Sequence, residues 1–232
     1  MNRYAFKFSK TGYLRFISHL DLQRLLRRSV KRAGIKLAYT QGFNPHEMIN
    51  LVEALSLGFE TTGDYFEIVT LLPYEPEKLL ADFNATFPEG LKFASCRELP
   101  YGSKNLSTVC ECACYEAILP LSSAMNISLH EFLAQEQITI IKRDKKTKKP
   151  VEKDVKKMVY SVEEVSRTED TITLTMMLRC ASNETLNPEK LLTSLWTFSG
   201  MDYPAEEARI TRKELYARVQ DAWVSLDEYQ VV

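Results

Sequence analysis

Near the start of the chain Tyr4, Phe6 and Phe8 alternate with polar neighbours, the period-two pattern of a strand with one buried face. A turn is expected at Lys10-Thr11-Gly12, and Leu14 to Ile17 resume the apolar run, so residues 3–17 read as strand. Ser18-His19-Leu20-Asp21 then fits a capping box, with Ser18 as N-cap and Asp21 at the third helical position. Leu22, Leu25, Leu26, Val30 and Ala33 follow at helical spacing, and Gly34 suits the stop. Ile35 to Tyr39 reads as a short strand. A loop, Gln41-Gly42-Phe43-Asn44-Pro45-His46, and a mostly apolar segment from Met48 to Leu57 come next. Tyr65 to Leu71 reads as strand, Pro76 opens a helix through about Phe87, and Leu91 to Glu98 is another strand. The order β-α-β-β-α-β is the ferredoxin-like pattern, in which two helices cover one face of a sheet.

Pro100 to Ser107, rich in Pro, Gly, Ser and Asn, reads as a domain joint. The same order recurs beyond it. Val109 to Leu119 is a strand, Ser128 to Gln135 a helix and Ile138 to Ile141 a strand. A charged loop, strands Lys157 to Val165 and Thr171 to Arg179, a helix from Asn187 to Phe198 and a strand from Ala208 to Tyr216 follow. The expectation is an α+β fold of two ferredoxin-like (βαββαβ) units in tandem. They span residues 1–100 and 108–218, followed by a C-terminal tail, 219–232, with no assigned pattern.

Composition narrows the function classes. At 232 residues and 45% hydrophobic, the chain can bury one or two ordinary cores. A net charge of -1 excludes a polybasic binder, so any nucleic-acid contact must rest on local charge. Five cysteines, three of them in one cluster, do not form a secreted disulfide framework. No apolar run reaches the roughly 18 residues of a membrane span, and the charged start has no signal-peptide core. A cytoplasmic location without membrane contact is expected.

Charge is concentrated on the first helix. Arg24, Arg27, Arg28, Lys31 and Arg32 fall at i, i+3, i+4, i+7 and i+8, opposite the apolar stripe, with only Asp21 to offset them on that helix. Such a face repels itself, and planar guanidiniums suit phosphate. A merely solvated helix face is the competing reading. In the following loop Phe43 can stack on an unpaired base and Asn44 can read a base edge or shape. The alternative for Phe43 is a core position. His19 and His46 flank the helix and are candidate general acids or bases, although no third group completes a nuclease site. Lys142 to Lys157 holds nine basic and three acidic residues, either a second polyanion contact or a solvated hairpin. Cys110, Cys112 and Cys114 would share one strand face, about 6 to 7 Å apart in succession. That separation favours burial over chelation of one zinc. P-loop, dinucleotide and radical-SAM cysteine motifs are missing, so no cofactor or metal is expected.

Gly12-Tyr13-Leu14-Arg15-Phe16-Ile17-Ser18-His19-Leu20-Asp21, with Arg24, Arg27-Arg28, Ala33-Gly34-Ile35 and Gln41-Gly42-Phe43-Asn44-Pro45-His46, resembles the radical-SAM-associated domain family. These are bacterial domains of unknown function, found alone or fused behind a radical-SAM module. The resemblance is sharp over residues 10–70 and looser afterwards. Where that family continues with Pro and Lys after the histidine, this chain has Glu47-Met48, so a phosphate role for that lysine does not carry over. The resemblance implies a radical-SAM protein and ribosomal or transfer RNA as partners, and it supplies no activity. A more distant, fold-level likeness is to the RAMP superfamily of endoribonucleases.

Three functions follow as expectations. The first is an RNA-binding accessory protein working with a radical-SAM enzyme in tRNA or rRNA modification or processing. The second is a metal-independent endoribonuclease using His19 or His46. The third is a protein-interaction module that docks a radical-SAM partner.

Overall fold

We describe residues 1–121, 127–144 and 146–230 of a computed structural model. The chain divides into two compact units, Met1–Glu111 with Thr211–Val232, and Cys112–Ile210. The fold is α+β.

The first unit opens with β1 (Asn2–Lys10), α1 (His19–Arg32), β2 (Ile49–Leu51), β3 (Glu60–Thr70), α2 (Pro76–Asn84), β4 (Leu91–Leu99) and a single turn of helix, α3 (Leu106–Val109). β1 lies between β3 and β4 and pairs antiparallel with both, while β2 adds to the far edge of β3, also antiparallel. The alternation on β1 resolves as expected. Tyr4, Phe6 and Phe8 are fully buried and join Phe66, Phe83 and Phe93 with Leu22, Leu26, Val30 and Leu79 from the two helices. Phe6 meets Phe83 at 5.0 Å and Phe93 edge-on at 5.3 Å between ring centroids, so aromatic contacts fasten α2 to the sheet. The other face of the same strands carries Arg3 and Glu67, both buried and paired.

Two local expectations need correction. Residues Gly12–Phe16 form a 3-10 turn, not a continuation of strand, because Gly12 takes φ +63° and redirects the chain. Ile35 to Tyr39 contributes isolated bridges at Leu37 and Tyr39, not a strand, since β2 and its flanking Met48 occupy the adjoining edge of β3. Within the apolar segment Met48 to Leu57, strand structure is confined to Ile49–Leu51.

In the second unit β5 (Cys110–Pro120) enters from the first. It is followed by α4 (Leu129–Ala134), β6 (Thr139–Arg143), β7 (Pro150–Asp154), β8 (Val159–Arg167), β9 (Thr171–Ala181), β10 (Glu184–Thr185) and α5 (Pro188–Phe198). β9 pairs antiparallel with β5, β8 and β10. Ile172, Leu174, Met176 and Leu178 alternate into the core, while α5 buries Leu191, Leu192, Leu195 and Trp196. The charged loop expected at Lys142 to Lys157 is largely a hairpin, because β6 and β7 pair from Thr139↔Asp154 to Arg143↔Pro150. Lys145 lies outside the described residues.

The chain returns to the first unit through β11 (Arg209–Val219) and β12 (Ala222–Ser225). β11 runs parallel to β3 at Glu60↔Thr211 and Thr61↔Arg212. Arg212 is buried and forks onto Asp64 at 2.6 and 2.8 Å, and also donates to the carbonyls of Ala54 and Glu53. This pairing explains why Thr211 onward groups with the first unit, although the sequence reading placed 108–218 together. Residues 219–230 are also held there. β12 pairs with β11, Leu226 is fully buried, and Arg97 donates to the carbonyls of Leu226 and Tyr229. Among the described residues no helix is long and apolar enough to cross a membrane.

At Gly63 β3 and β11 approach so closely that a Cβ would sit 2.1 Å from the Lys213 carbonyl oxygen. Backbone cannot swing away as a side chain can. Gly63→Ala is therefore expected to lower unfolding stability by about 1–3 kcal/mol, read by urea denaturation. An unchanged midpoint would show that the close approach is not required.

Candidate nucleic-acid interface

The first helix is set by its cap. The Ser18 hydroxyl oxygen accepts from the Asp21 backbone N–H at 3.1 Å, and the hydroxyl donates to the Asp21 carboxylate at 2.7 Å. The second Asp21 oxygen accepts from Arg24 at 2.9 Å. These bonds, Ser18 first, hold the Asp21 carboxyl below its ordinary range. Leu22, Leu26 and Val30 are buried, and Arg24, Arg27, Arg28, Lys31 and Arg32 are all exposed, as their spacing requires.

A residue outside the helix changes the charge pattern. Glu47 accepts from Lys31 at 3.0 Å and lies 3.7 Å from Arg27, with the Tyr39 hydroxyl 3.3 Å away as a further donor. Its hydrogen bond raises the Lys31 pKa. Arg28 and Arg32 form no ion pair among the described residues. Glu47 thus does more than weaken the local field, because it fastens the Gly-Phe-Asn-Pro-His loop to the basic helix.

The loop itself is closed by backbone. Tyr39 and Glu47 form a bridge, the Thr40 N–H donates to the His46 carbonyl at 2.8 Å, and the His46 N–H donates to the Thr40 hydroxyl oxygen at 3.0 Å. Gly42 takes φ +136°, which an L side chain resists. At the apex Phe43 is fully exposed, at 112% of the reference area, and Asn44 is exposed beside it. Phe43 therefore takes no part in the core.

The two candidate histidines line different cavities. His46 borders a cleft of about 570 Å³ whose wall includes Arg3, Arg27, Glu47, Asn50 and Glu67. His19 lies 3.1 Å from the Gln23 amide nitrogen and borders a crevice of about 10 Å³ with Lys10, Ser18, Glu53 and Asp64. Lys10 in that crevice is buried and donates to the carbonyls of Phe59 at 3.0 Å and Leu14 at 3.3 Å. Burial pulls its pKa down to about 8, against the attraction of Asp64. Burial likewise raises the Glu53 carboxyl.

The sequence reading missed this cleft and this crevice. Arg3 and Lys10 looked like ordinary polar positions of a strand, and Glu67 sits within an apolar run. A charged residue inside a strongly apolar strand, such as Glu67 between Phe66 and Ile68, was the available signal.

The other singled-out features are partly occupied. On the β6–β7 hairpin Lys153 pairs with Glu184 at 2.5 Å, and Lys156 donates to the Leu133 carbonyl. Cys110 and Cys112 are buried and Cys114 is half-buried, and burial pushes the Cys112 thiol up, so it stays protonated at neutral pH. No group of three or more His, Cys, Asp or Glu side chains that could hold a metal occurs among the described residues.

Comparison with known proteins gives a family. A family model described as an uncharacterized protein conserved in bacteria (DUF2344) matches residues 3–188. No curated protein matches the chain. A crystal structure of an unknown protein from Galdieria sulphuraria is 10% identical with a TM-score of 0.27, over 94% of this chain and 99% of that one. At that score no shared fold is argued.

Lys10 yields a pH test. Its folded pKa lies below its unfolded one, so between pH of about 8 and 10.5 the unfolded chain binds more protons. Stability from this group accordingly rises with pH through that window. Relative to Lys10→Met, the wild type should gain stability between pH 7.5 and 9.5 in parallel denaturant titrations. A constant difference between the two would contradict the buried-lysine assignment.

Proposed function

This chain belongs to a bacterial family of uncharacterized proteins, DUF2344, and for it we propose an RNA-binding role. It acts as an accessory protein to a radical-SAM enzyme in tRNA or rRNA modification or processing. The observation that carries this reading is the joining of two features by Glu47. A loop with an exposed aromatic ring at its apex is tied through Glu47 to a helix face of exposed cations. Phe43 offers a stacking surface to an unpaired base, and Arg24, Arg27, Arg28, Lys31 and Arg32 offer charge to the phosphates on either side of it. Arg28 and Arg32 supply the strongest part, since no acid neutralises them among the described residues. The radical-SAM partner and the class of RNA come from the resemblance of residues 12–46, and a cytoplasmic setting fits both.

We read the first unit as ferredoxin-like. Its strands stand in the antiparallel order β4-β1-β3-β2, with two helices on one face. The antiparallel order β5-β9-β8 accords with the same arrangement in the second, with the β6–β7 hairpin inserted after α4. The endoribonuclease reading is the weaker one, because His19 and His46 border separate cavities.

A second reading has its own observation. Tyr13, Phe16 and Leu20, all within the segment that carries the resemblance, are 93%, 58% and 60% exposed. Apolar side chains left in solvent in one short segment suit a protein contact, so the radical-SAM partner docks there while RNA uses the helix face.

Filter binding against tRNA and rRNA fragments tests the first reading. Phe43→Ala should weaken binding roughly 5- to 150-fold, the range of about 1–3 kcal/mol for lost base stacking. Arg28→Ala with Arg32→Ala should flatten the dependence of log affinity on log salt by about 1.5 to 2. Affinity that ignores both salt and these substitutions rejects the reading. For the second, co-purification of a co-expressed radical-SAM partner should survive nuclease and be lost in Tyr13→Asp/Phe16→Asp. Persistence in that variant places the contact elsewhere.

A further inference from the structure

The cleft that His46 borders has a composition that the interface described above does not use. Of its charged lining residues, Arg3 and Arg27 are matched by Glu47 and Glu67, so the wall is balanced and does not trap an anion. At its floor Arg3 is spent. Its guanidinium pairs with Glu67 and donates to the Ser103 carbonyl at 2.8 Å and the Lys104 carbonyl at 3.0 Å. Glu67 accepts from Arg3 and from the Leu106 N–H with one oxygen, and from the Asn50 amide nitrogen at 3.2 Å with the other.

That last bond fixes the Asn50 side chain. A carboxylate accepts, so the amide NH2 must face Glu67, and the Asn50 carbonyl oxygen is left without a partner among the described residues. Asn105 also lines the cleft and caps no helix with its side chain, so its amide supplies a donor and an acceptor. The Glu67 oxygen bonded to Asn50 retains a lone pair. Met48, Ile49 and Val69 add apolar wall. The cleft therefore presents apolar surface for the faces of a flat ring, acceptors for its edge, and no net charge.

We propose that this cleft binds a nucleobase turned out of an RNA strand, and that its acceptors select bases carrying an exocyclic amine, adenine, guanine or cytosine, over uracil. The volume of about 570 Å³ lies within the range of small-molecule sites and accommodates one nucleoside. A neutral edge-reading pocket beside a cationic face divides the work. The base enters the cleft, and its phosphates remain outside on α1, whose Arg27 belongs to both surfaces. The proposal rests on the RNA-binding reading for its polymer and on the cleft alone for its base.

The test uses full-length protein, titrated with adenosine, cytidine and uridine by calorimetry. In parallel it is titrated with a short single-stranded RNA and with an abasic strand of equal length. Asn105→Trp is the blocking variant, because position 105 is exposed and a larger side chain there fills the cleft without breaking the Arg3–Glu67 pair. Asn105→Ala is the milder companion, used if the first lowers the melting temperature. Adenosine and cytidine should saturate the wild type and bind roughly tenfold better than uridine, and either substitution should reduce them by about that factor. The base-bearing RNA should weaken alongside, while the abasic strand should not. RNA binding that persists with no nucleoside binding, or nucleosides unaffected by both substitutions, overturns the cleft and leaves the RNA reading standing. Saturable nucleoside binding lost in Asn105→Trp, in a protein with no affinity for RNA, does the reverse.

Discussion

Arg3 and Glu67 face one another on the side of the sheet away from the aromatic core, both out of water. A charge so placed is tolerable only when its partners satisfy it, and removing one partner strands the other. Around this pair the joint after β4 is pinned by its Ser103 and Lys104 carbonyls, α3 is held through the Leu106 N–H, and β2 is held through Asn50. The floor of the cleft is therefore a consequence of satisfying one buried ion pair. Its spare acceptors arise because the pair uses some but not all of the hydrogen-bonding capacity around it.

The same constraint operates at the other end of β3. Arg212 arrives on β11 and satisfies Asp64, with Lys10 buried beside them. The two sites differ in access. At Lys10 the neighbouring space is about 10 Å³, at most the room of one water, whereas the Arg3–Glu67 site opens into a cleft large enough for a ligand. Buried charge closes off the first site and underlies an open cleft at the second.

The surface interface rests on a milder balance. A face of five cations on one helix would repel itself, and Asp21 and Glu47 relieve it at Arg24, Arg27 and Lys31. Exposed pairs of this kind stabilise little, so their consequence is geometric. Glu47 ties the base of the loop to Arg27 and Lys31, and the Phe43 ring at the loop apex stands clear of the protein.

The first helix was readable from its own residues, because a cap and a 3.6-residue period are properties of neighbours in the chain. Ser18, Asp21 and the Leu22–Leu26–Val30 stripe needed nothing from elsewhere. The same holds for the alternation of Tyr4, Phe6 and Phe8. What the tertiary structure decided lies in pairs distant along the chain. Arg3 finds Glu67 across 64 positions and Arg212 finds Asp64 across 148, and no local pattern marks which buried charge meets which. The exposure of Phe43 was equally undecidable, since a phenylalanine in a turn reads alike whether it enters a core or stands in solvent. The local sequence drew the basic helix, and the long-range pairing of charges made the loop and the cleft beside it.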